Sequence, residues 1–554
     1  MPFFQRWLFV LLVLAAGAAV LPGCAVRQGG PGGKPDFELV VLHTNDTHGH
    51  PVAFDRYPEK RVGGLPARAT IVERIRRDHP NVLLLDAGDL NTGRLVSNMF
   101  QAEPDVRGYN ALGYDAVALG NHEFDPPRSV LRRQMDMAAF PFLSANVRTR
   151  GGSLLAQPHR VFSFDGFRVA VLGLTTPETR EIARPENVRD LVFEDPVETA
   201  RALVPVLRRE ADLVIALTHL GIYPGTDKGA RRLAREVPGI DLIVDGHTHT
   251  RMDAPIVADR PGEDGGTLIV QAWQWGLVLG KLKLTVRDGR VRGHAFEAIP
   301  VNPGVGAERV PEDPEMLALL EPYAERAAAA GARVIGRARG LFPNDRVRQE
   351  ETALGDLVAD SMIWSAANLA PDLAVQNGGA IRSSIPPGDL TVGRIHDVLP
   401  FDNTVVVVEL RGRDVRALFD RAASLEDGHG GFLQVSREVE IVLGAGKGPC
   451  LEVRVNGRPL QDDRVYRVAA NAFLASGGDG YDVFQKALRR IDTSRFLRNV
   501  LVDYIAHLGG EIAPATGRRI QRRLDSRARP LPGGAGERAA RPKSNRERSA
   551  GETG

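Results

Sequence analysis

Seven residues able to hold a cation stand just past apolar runs of strand length. Asp46 and His48 follow Phe37–Leu42, Asp89 follows Val82–Leu85, and Asn121 follows Ala116–Leu119. His219 closes Leu213–Thr218, and His247 and His249 follow Leu242–Val244. Residues that leave neighbouring strands at one sheet edge converge in space, and such edges are where α/β proteins build sites. Carboxylate, amide and imidazole groups meeting there point to a metal centre, and mixed nitrogen and oxygen donors favour Zn, Mn, Fe or Co over Mg or Ca. Asp89, behind the tight turn that Gly88 permits, can bridge two cations through its two oxygens. A cation pair roughly 3.5–4 Å apart acidifies a bridging water and clamps a phosphoryl oxygen. His122 stands beside Asn121 with Asp125 three residues on, a spacing that can hold an imidazolium ready for proton transfer.

The elements that must position these groups read as an α/β layered unit. From Phe37 to about Pro300, apolar strand-length runs alternate with amphipathic stretches, of which 65–77 and 197–210 are the clearest helices. Segments 267–270 and 280–286 are expected to be antiparallel strands closing the sheet. Asp313-Pro314 is a sound helix start, as N-cap and first helical residue. The Ala-rich helix that follows should kink or restart at Pro322 and serve as hinge or spacer. A second domain begins near Arg333, with a helix over 354–367 and strands over 373–375 and 404–410.

At 554 residues the chain exceeds what one core can organise. A net charge of +2 gives no reason to expect a nucleic-acid polymer as partner. The chain has two cysteines, Cys24 and Cys450. Residues 1–23 carry Arg6 and then an apolar stretch from Leu8 to Val20, too short for a comfortable transmembrane span and suited to a secretory signal. Leu21-Pro22-Gly23-Cys24 resembles the bacterial lipobox, with Pro22 an unusual occupant. It implies a lipid on Cys24 and membrane anchoring outside the cytoplasm, periplasm-facing or at the cell surface. Ala25 lacks the aspartate associated with inner-membrane retention. The expected division is a lipoprotein signal at 1–24, a tether at 25–36, a first domain at 37–302, a helical linker at 303–332, a second domain at 333–525 and a basic disordered tail at 526–554.

His43-Thr44-Asn45-Asp46-Thr47-His48-Gly49, Gly120-Asn121-His122-Glu123-Phe124-Asp125 and Asp245-Gly246-His247-Thr248-His249 resemble the calcineurin-like metallophosphoesterases. They resemble more closely the secreted 5′-nucleotidase family. The second half carries that family's other stretches: Arg348 to Asp356, Asn377-Gly378-Gly379-Ala380-Ile381-Arg382, Leu399-Pro400-Phe401, and Asn471 to Tyr481. The resemblance implies a four-layer α/β/β/α metallophosphoesterase sandwich followed by a smaller α+β nucleotide-binding domain. It assigns Asp46, His48, Asp89 and His249 to one divalent cation, and Asp89, Asn121, His219 and His247 to a second. His122, oriented by Asp125, becomes the catalytic group that stabilises the transition state and leaving oxygen. Phe401 and Phe473 would sandwich a nucleobase, Asp479 would accept from ribose hydroxyls, Arg348 and Arg382 would meet phosphate or ribose oxygens, and Asn377 would lie by the nucleoside. Asn403 could read a base edge.

The chain departs at His249, where some members carry Gln or Asn, and at Asp402, often glycine. The implied reaction is hydrolysis of nucleoside 5′-monophosphates by a metal-bridging hydroxide. UDP-sugar or dinucleotide pyrophosphohydrolysis, 2′,3′-cyclic nucleotide hydrolysis, a thiosulfohydrolase-like reaction and non-catalytic surface binding stand as rivals.

Overall fold

The computed structural model describes residues 36–523 except 57, 224, 260–265, 305–307 and 445. The expected lipidation site at Cys24, the signal, most of the tether and the tail at 526–554 lie outside the described residues.

Two six-stranded sheets face each other. One runs, in spatial order, Arg290–Pro300, Val278–Arg287, Phe37–Thr44, Val82–Asp86, Ala116–Ala118, Phe142–Leu143. The other runs Ile256–Ala258, Thr267–Val270, Leu242–Val244, Leu213–His219, Phe167–Thr175, His159–Phe164. Their inner faces share a core that includes Leu39, Val41, Leu83, Leu85, Ile215, Leu217 and Val244, all solvent-inaccessible. Burying each such side chain contributes about 1.5–3 kcal/mol before the entropy of ordering it. Helices cover the outer faces. Leu65–Asp78 and Glu103–Leu112 pack on the first sheet, and Pro196–Glu210 and Ala230–Glu236 on the second. The result is the expected four-layer α/β/β/α sandwich. A side-chain cap starts Pro196–Glu210, where Asp195 accepts from the backbone of Val197 and Glu198, and also the later helix Pro314–Gly331, where Asp313 accepts from Met316.

The site-bearing strands are parallel. Phe37–Thr44 pairs with Val82–Asp86, which pairs with Ala116–Ala118. In the other sheet Leu213–His219 lies between Phe167–Thr175 and Leu242–Val244. Parallel pairing sends the carboxyl ends of these strands to one edge of each sheet, which is why residues 46, 89, 121, 219, 247 and 249 can meet.

Two expectations need correction. Thr267–Val270 lies in the second sheet, antiparallel to Ile256–Ala258 and parallel to Leu242–Val244, whereas Val278–Arg287 runs antiparallel to Phe37–Thr44 in the first, so the two do not close one sheet together. Every residue of Thr267–Val270 is buried, as befits a strand with a neighbour on each side and layers on both faces. The helix Pro314–Gly331 also runs through Pro322 without restarting. Ala318, whose carbonyl loses its donor to the proline, is solvent-exposed, as is Pro322, so water can take that hydrogen bond. Met316 and Leu320 are buried in the first core, so this helix is packed structure and no free spacer.

Beyond it, a five-stranded sheet (Leu433–Val435, Leu373–Asn377, Val465–Asn471, Thr404–Arg411, Arg489–Phe496) is covered on one face by the helices Ala353–Ser365 and Leu497–His507. Its other face packs on Gly412–Ser424 and a small four-stranded sheet. This is the anticipated α+β unit.

Candidate active site

Five of the seven candidate ligands sit on sharp turns past their strand ends, while His219 ends its strand and Asn121 has right-handed backbone. Asp46, His48, Asp89, His247 and His249 all sit at positive φ, between 45° and 79°. Such backbone is unfavourable for residues with a Cβ and is kept only where the surroundings over-determine it. Glu123 supplies much of that determination. Its fully buried carboxylate accepts from the backbone amides of Asp89 (2.9 Å), Leu90 (2.9 Å), Asn91 (3.2 Å) and Gly120 (2.7 Å). Burial and the neighbouring Asp89 push its pKa up to about 7.

Asp245 does the same for the other sheet, accepting from Thr218 Oγ1, Leu220 N and Gln271 Nε2. Sequence reading passed over both acids as site residues. Their place beside motif histidines was the available signal, but a burial state cannot be read from a motif. Glycine is required at 120, since a Cβ there would meet Asp89 Oδ1 at 2.3 Å and Asp89 N at 2.6 Å.

The side chains converge. Asp46, His48 and His249 bring donor atoms within 4.8 Å of one another, as do Asp46, Asp89 and His219, and His48, Asp89 and His122. His48 Nε2 and His249 Nε2 are 3.1 Å apart, and His247 Nδ1 is 2.9 Å from Asn121 Oδ1. Outer partners orient the rings. His48 Nδ1 donates to Asn91 O, His219 Nδ1 to Ala87 O and His249 Nδ1 to Gln274 Oε1. The opposite nitrogens therefore carry lone pairs into the site.

Whether this donor set fits cations can be judged from its unspent groups. His219 Nε2 is buried with no aligned hydrogen-bond partner, although Asp89 Oδ2 lies 3.1 Å away, so both aim at a common third point. Burial opposes charge on His219, yet Asp89 and Asp46 drive its pKa up to about 10. Burial likewise works against Asp89, but His219 and His122 hold it well below the carboxylate range. Burial and Arg382 keep His48 neutral. Ionised carboxylates that draw positive charge onto His219, beside the neutral His48, mark buried space calling for positive charge and suit two divalent cations.

His122 Nδ1 lies 2.5 Å from Asp125 Oδ2, and its Nε2 is 3.9 Å from Asp89 Oδ2. Burial disfavours the imidazolium, but the Asp125 and Asp89 carboxylates outweigh that and raise its pKa. Thr92 Oγ1 donates to Asp125 and fixes the carboxylate (2.6 Å).

A cavity of about 480 Å³ joins this edge to the second unit. It is lined by Asp89, Asn121, His122, His247 and His249 on one side, and by Arg348, Asn377, Arg382, Phe401, Asn403, Phe473 and Asp479 on the other. Arg382 reaches across to His48 Nε2 at 3.1 Å. Phe401 lies 5.8 Å from the His122 ring. Phe473 rests on Gly478, where a Cβ would meet its ring at 2.4 Å. Asn377 donates to Asp479 Oδ2 (2.8 Å) and accepts from Asn471 (2.7 Å). Burial and neighbouring Arg382 lower Arg348 to about 10, and burial raises Asp479. Asp402 turns away to pair with Arg498 at 2.5 Å. Thus the candidate catalytic and substrate residues border one space with Asp89, Asn121, His247 and His249, while Asp46, His48 and His219 lie buried behind that lining, within ligand reach of Asp89 or His249.

Residues 39–251 match the family model of the Calcineurin-like phosphoesterase, and residues 334–486 that of the 5′-nucleotidase, C-terminal domain. Protein UshA of Salmonella pullorum is 33% identical over 91% of this chain and 96% of its own length. The 5′-nucleotidase of Vibrio cholerae serotype O1 is 34% identical over 89% and 94%. The crystal structure of the 5′-nucleotidase precursor from Thermus thermophilus is 34% identical and covers 89% of this chain and 100% of its own, with a TM-score of 0.81.

Proposed function

The chain belongs to the 5′-nucleotidase family of calcineurin-like phosphoesterases, and from that premise we propose that it hydrolyses nucleoside 5′-monophosphates to nucleoside and phosphate outside the cytoplasm. It is a metal-dependent phosphoester hydrolase that uses two divalent cations. Asp46, His48, Asp89 and His249 hold one cation; Asp89, Asn121, His219 and His247 hold the other. When bound, the pair supplies Lewis acidity that activates water and neutralises charge on the phosphoryl group.

The chain's own residues do the rest. Asp89 and Asp46, ionised and buried, fix the charge of the site. His122, kept protonated by Asp125, faces the departing ribose oxygen and donates its Nε2 proton there. Arg382 and Arg348 bind the phosphate and ribose edge as fixed cations. Phe401 and Phe473 stack on the base, and Asp479, steadied by Asn377, accepts from ribose hydroxyls. Base stacking tolerates any base and contributes about 1–3 kcal/mol per base.

One observation carries this reading: a single cavity runs from the Asp/His cluster to Phe401, Phe473 and Asp479. Residues 37–302 form the metal-binding half and residues 333–525 the nucleoside-binding half. A lipid on Cys24 tethers the enzyme to a membrane. Among the described residues no helix is long and apolar enough to cross one. The test is phosphate release from AMP or UMP in the presence of Mn or Zn. An Asp89→Ala variant should lose it, and activity retained in that variant would sink the mechanism.

A further inference from the structure

Three of the four ligand histidines share one arrangement, and His247 breaks it. His48, His219 and His249 each turn Nε2 inward and anchor Nδ1 on a neutral oxygen: Asn91 O, Ala87 O and Gln274 Oε1. His247 turns Nδ1 inward, 2.9 Å from Asn121 Oδ1, and its outer Nε2 lies 3.2 Å from Glu178 Oε2. It is therefore the one ligand imidazole backed by a carboxylate. Glu178 comes from the turn after Phe167–Thr175, belongs to none of the ligand-bearing turns, and lines the wall of the cavity. Its side chain is 53% exposed, and the Tyr223 hydroxyl is 3.5 Å from the same oxygen.

We infer that Glu178 is a positioning residue for His247, and that it makes the cation site built from Asn121, His219 and His247 depend on a carboxylate that the other site lacks. A carboxylate accepting the outer N–H of a ligand imidazole fixes its tautomer and raises the basicity of the inner nitrogen. A neutral acceptor fixes the tautomer alone. Removing Glu178 therefore removes both orientation and basicity from one ligand of one site. The ligand class is the divalent cation, and the inference rests on the two-cation reading above.

The experiment reads metal rather than turnover. Metal-stripped full-length wild type, Glu178→Gln and Glu178→Ala are titrated with Mn or Zn against a chelating indicator, and bound metal is counted by mass spectrometry after dialysis. Wild type should bind two equivalents. Glu178→Ala should bind one cation as wild type does and the second about 10–100-fold more weakly. Glu178→Gln, which keeps an acceptor oxygen without the charge, should fall between them.

Two equivalents bound at wild-type affinity by Glu178→Ala would overturn the inference. So would equal weakening of both sites in a variant whose metal-free melting temperature matches wild type. A chain that shows the expected asymmetry but releases no phosphate from any nucleotide would refute the proposed substrate and leave Glu178's role standing.

Discussion

At the scale of single residues, ligand identity and ligand support are separate matters. Gly120 touches no cation, but a Cβ there would strike the backbone nitrogen of Asp89 as well as its carboxylate, and a backbone atom cannot swing aside. Gly120→Ala is therefore expected to abolish metal binding and reduce kcat by at least about 100-fold, close to the loss from deleting a catalytic group itself. Metal stoichiometry and single-substrate kinetics check it. The candidate ligands were legible because carboxylates and imidazoles after apolar runs are rare in combination. Glu123 and Asp245 were not, because an acid accepting several backbone amides looks in sequence like any surface acid.

At the scale of elements, the helix Glu103–Leu112 carries a buried acid in its first turn. Asp105 is 2% exposed and its Oδ2 has no partner, so burial pushes its pKa up to about 7. A carboxyl whose folded pKa exceeds its unfolded value of about 3.9 binds more protons in the native state. Its contribution is favourable at low pH, declines from about pH 4 to about pH 7, and is flat above that. Asp105→Asn should remove this decline and stabilise the protein by on the order of 1–3 kcal/mol at pH 8, with little effect at pH 4. Thermal melts of both proteins across that range decide the matter.

Element boundaries were largely readable: the helices expected at 65–77 and 197–210 are Leu65–Asp78 and Pro196–Glu210. The partner of a strand was less so. Thr267–Val270 reads from sequence as closing one sheet together with 280–286 and instead lies inside the other sheet, antiparallel to one neighbour and parallel to the next, since pairing depends on contacts distant in the chain.

At the scale of the whole molecule, the two units meet through a few specific contacts besides Arg382. Arg94 pairs with the buried Asp397 at 2.6 Å, and Asn98 donates to Pro400 O at 3.1 Å. These hold the segment bearing Phe401 against the loop that follows Asp89, so stacking and chemistry share one frame. Phe473→Ala should raise KM for AMP by about 5–150-fold, matching about 1–3 kcal/mol of stacking. It should leave metal binding unchanged, because Phe473 belongs to the other unit. Steady-state kinetics with parallel metal analysis separate the two. An equal fall in metal content would contradict that division.

By itself the sequence determined the layered α/β character and the set of candidate cation ligands, which are local properties of hydrophobic period, residue type and spacing. The aromatic and acidic residues suited to a nucleoside were legible only through the resemblance to the 5′-nucleotidase family. The tertiary structure alone decided that these two sets face one cavity, that five ligands sit on left-handed backbone, that Pro322 is accommodated within a packed helix, and that Glu178 stands behind His247. Those facts arise between segments far apart in the chain, such as those bearing Arg382 and His48. Such segments are brought together by burial of the shared cores, and no local pattern records which distant partners that burial selects.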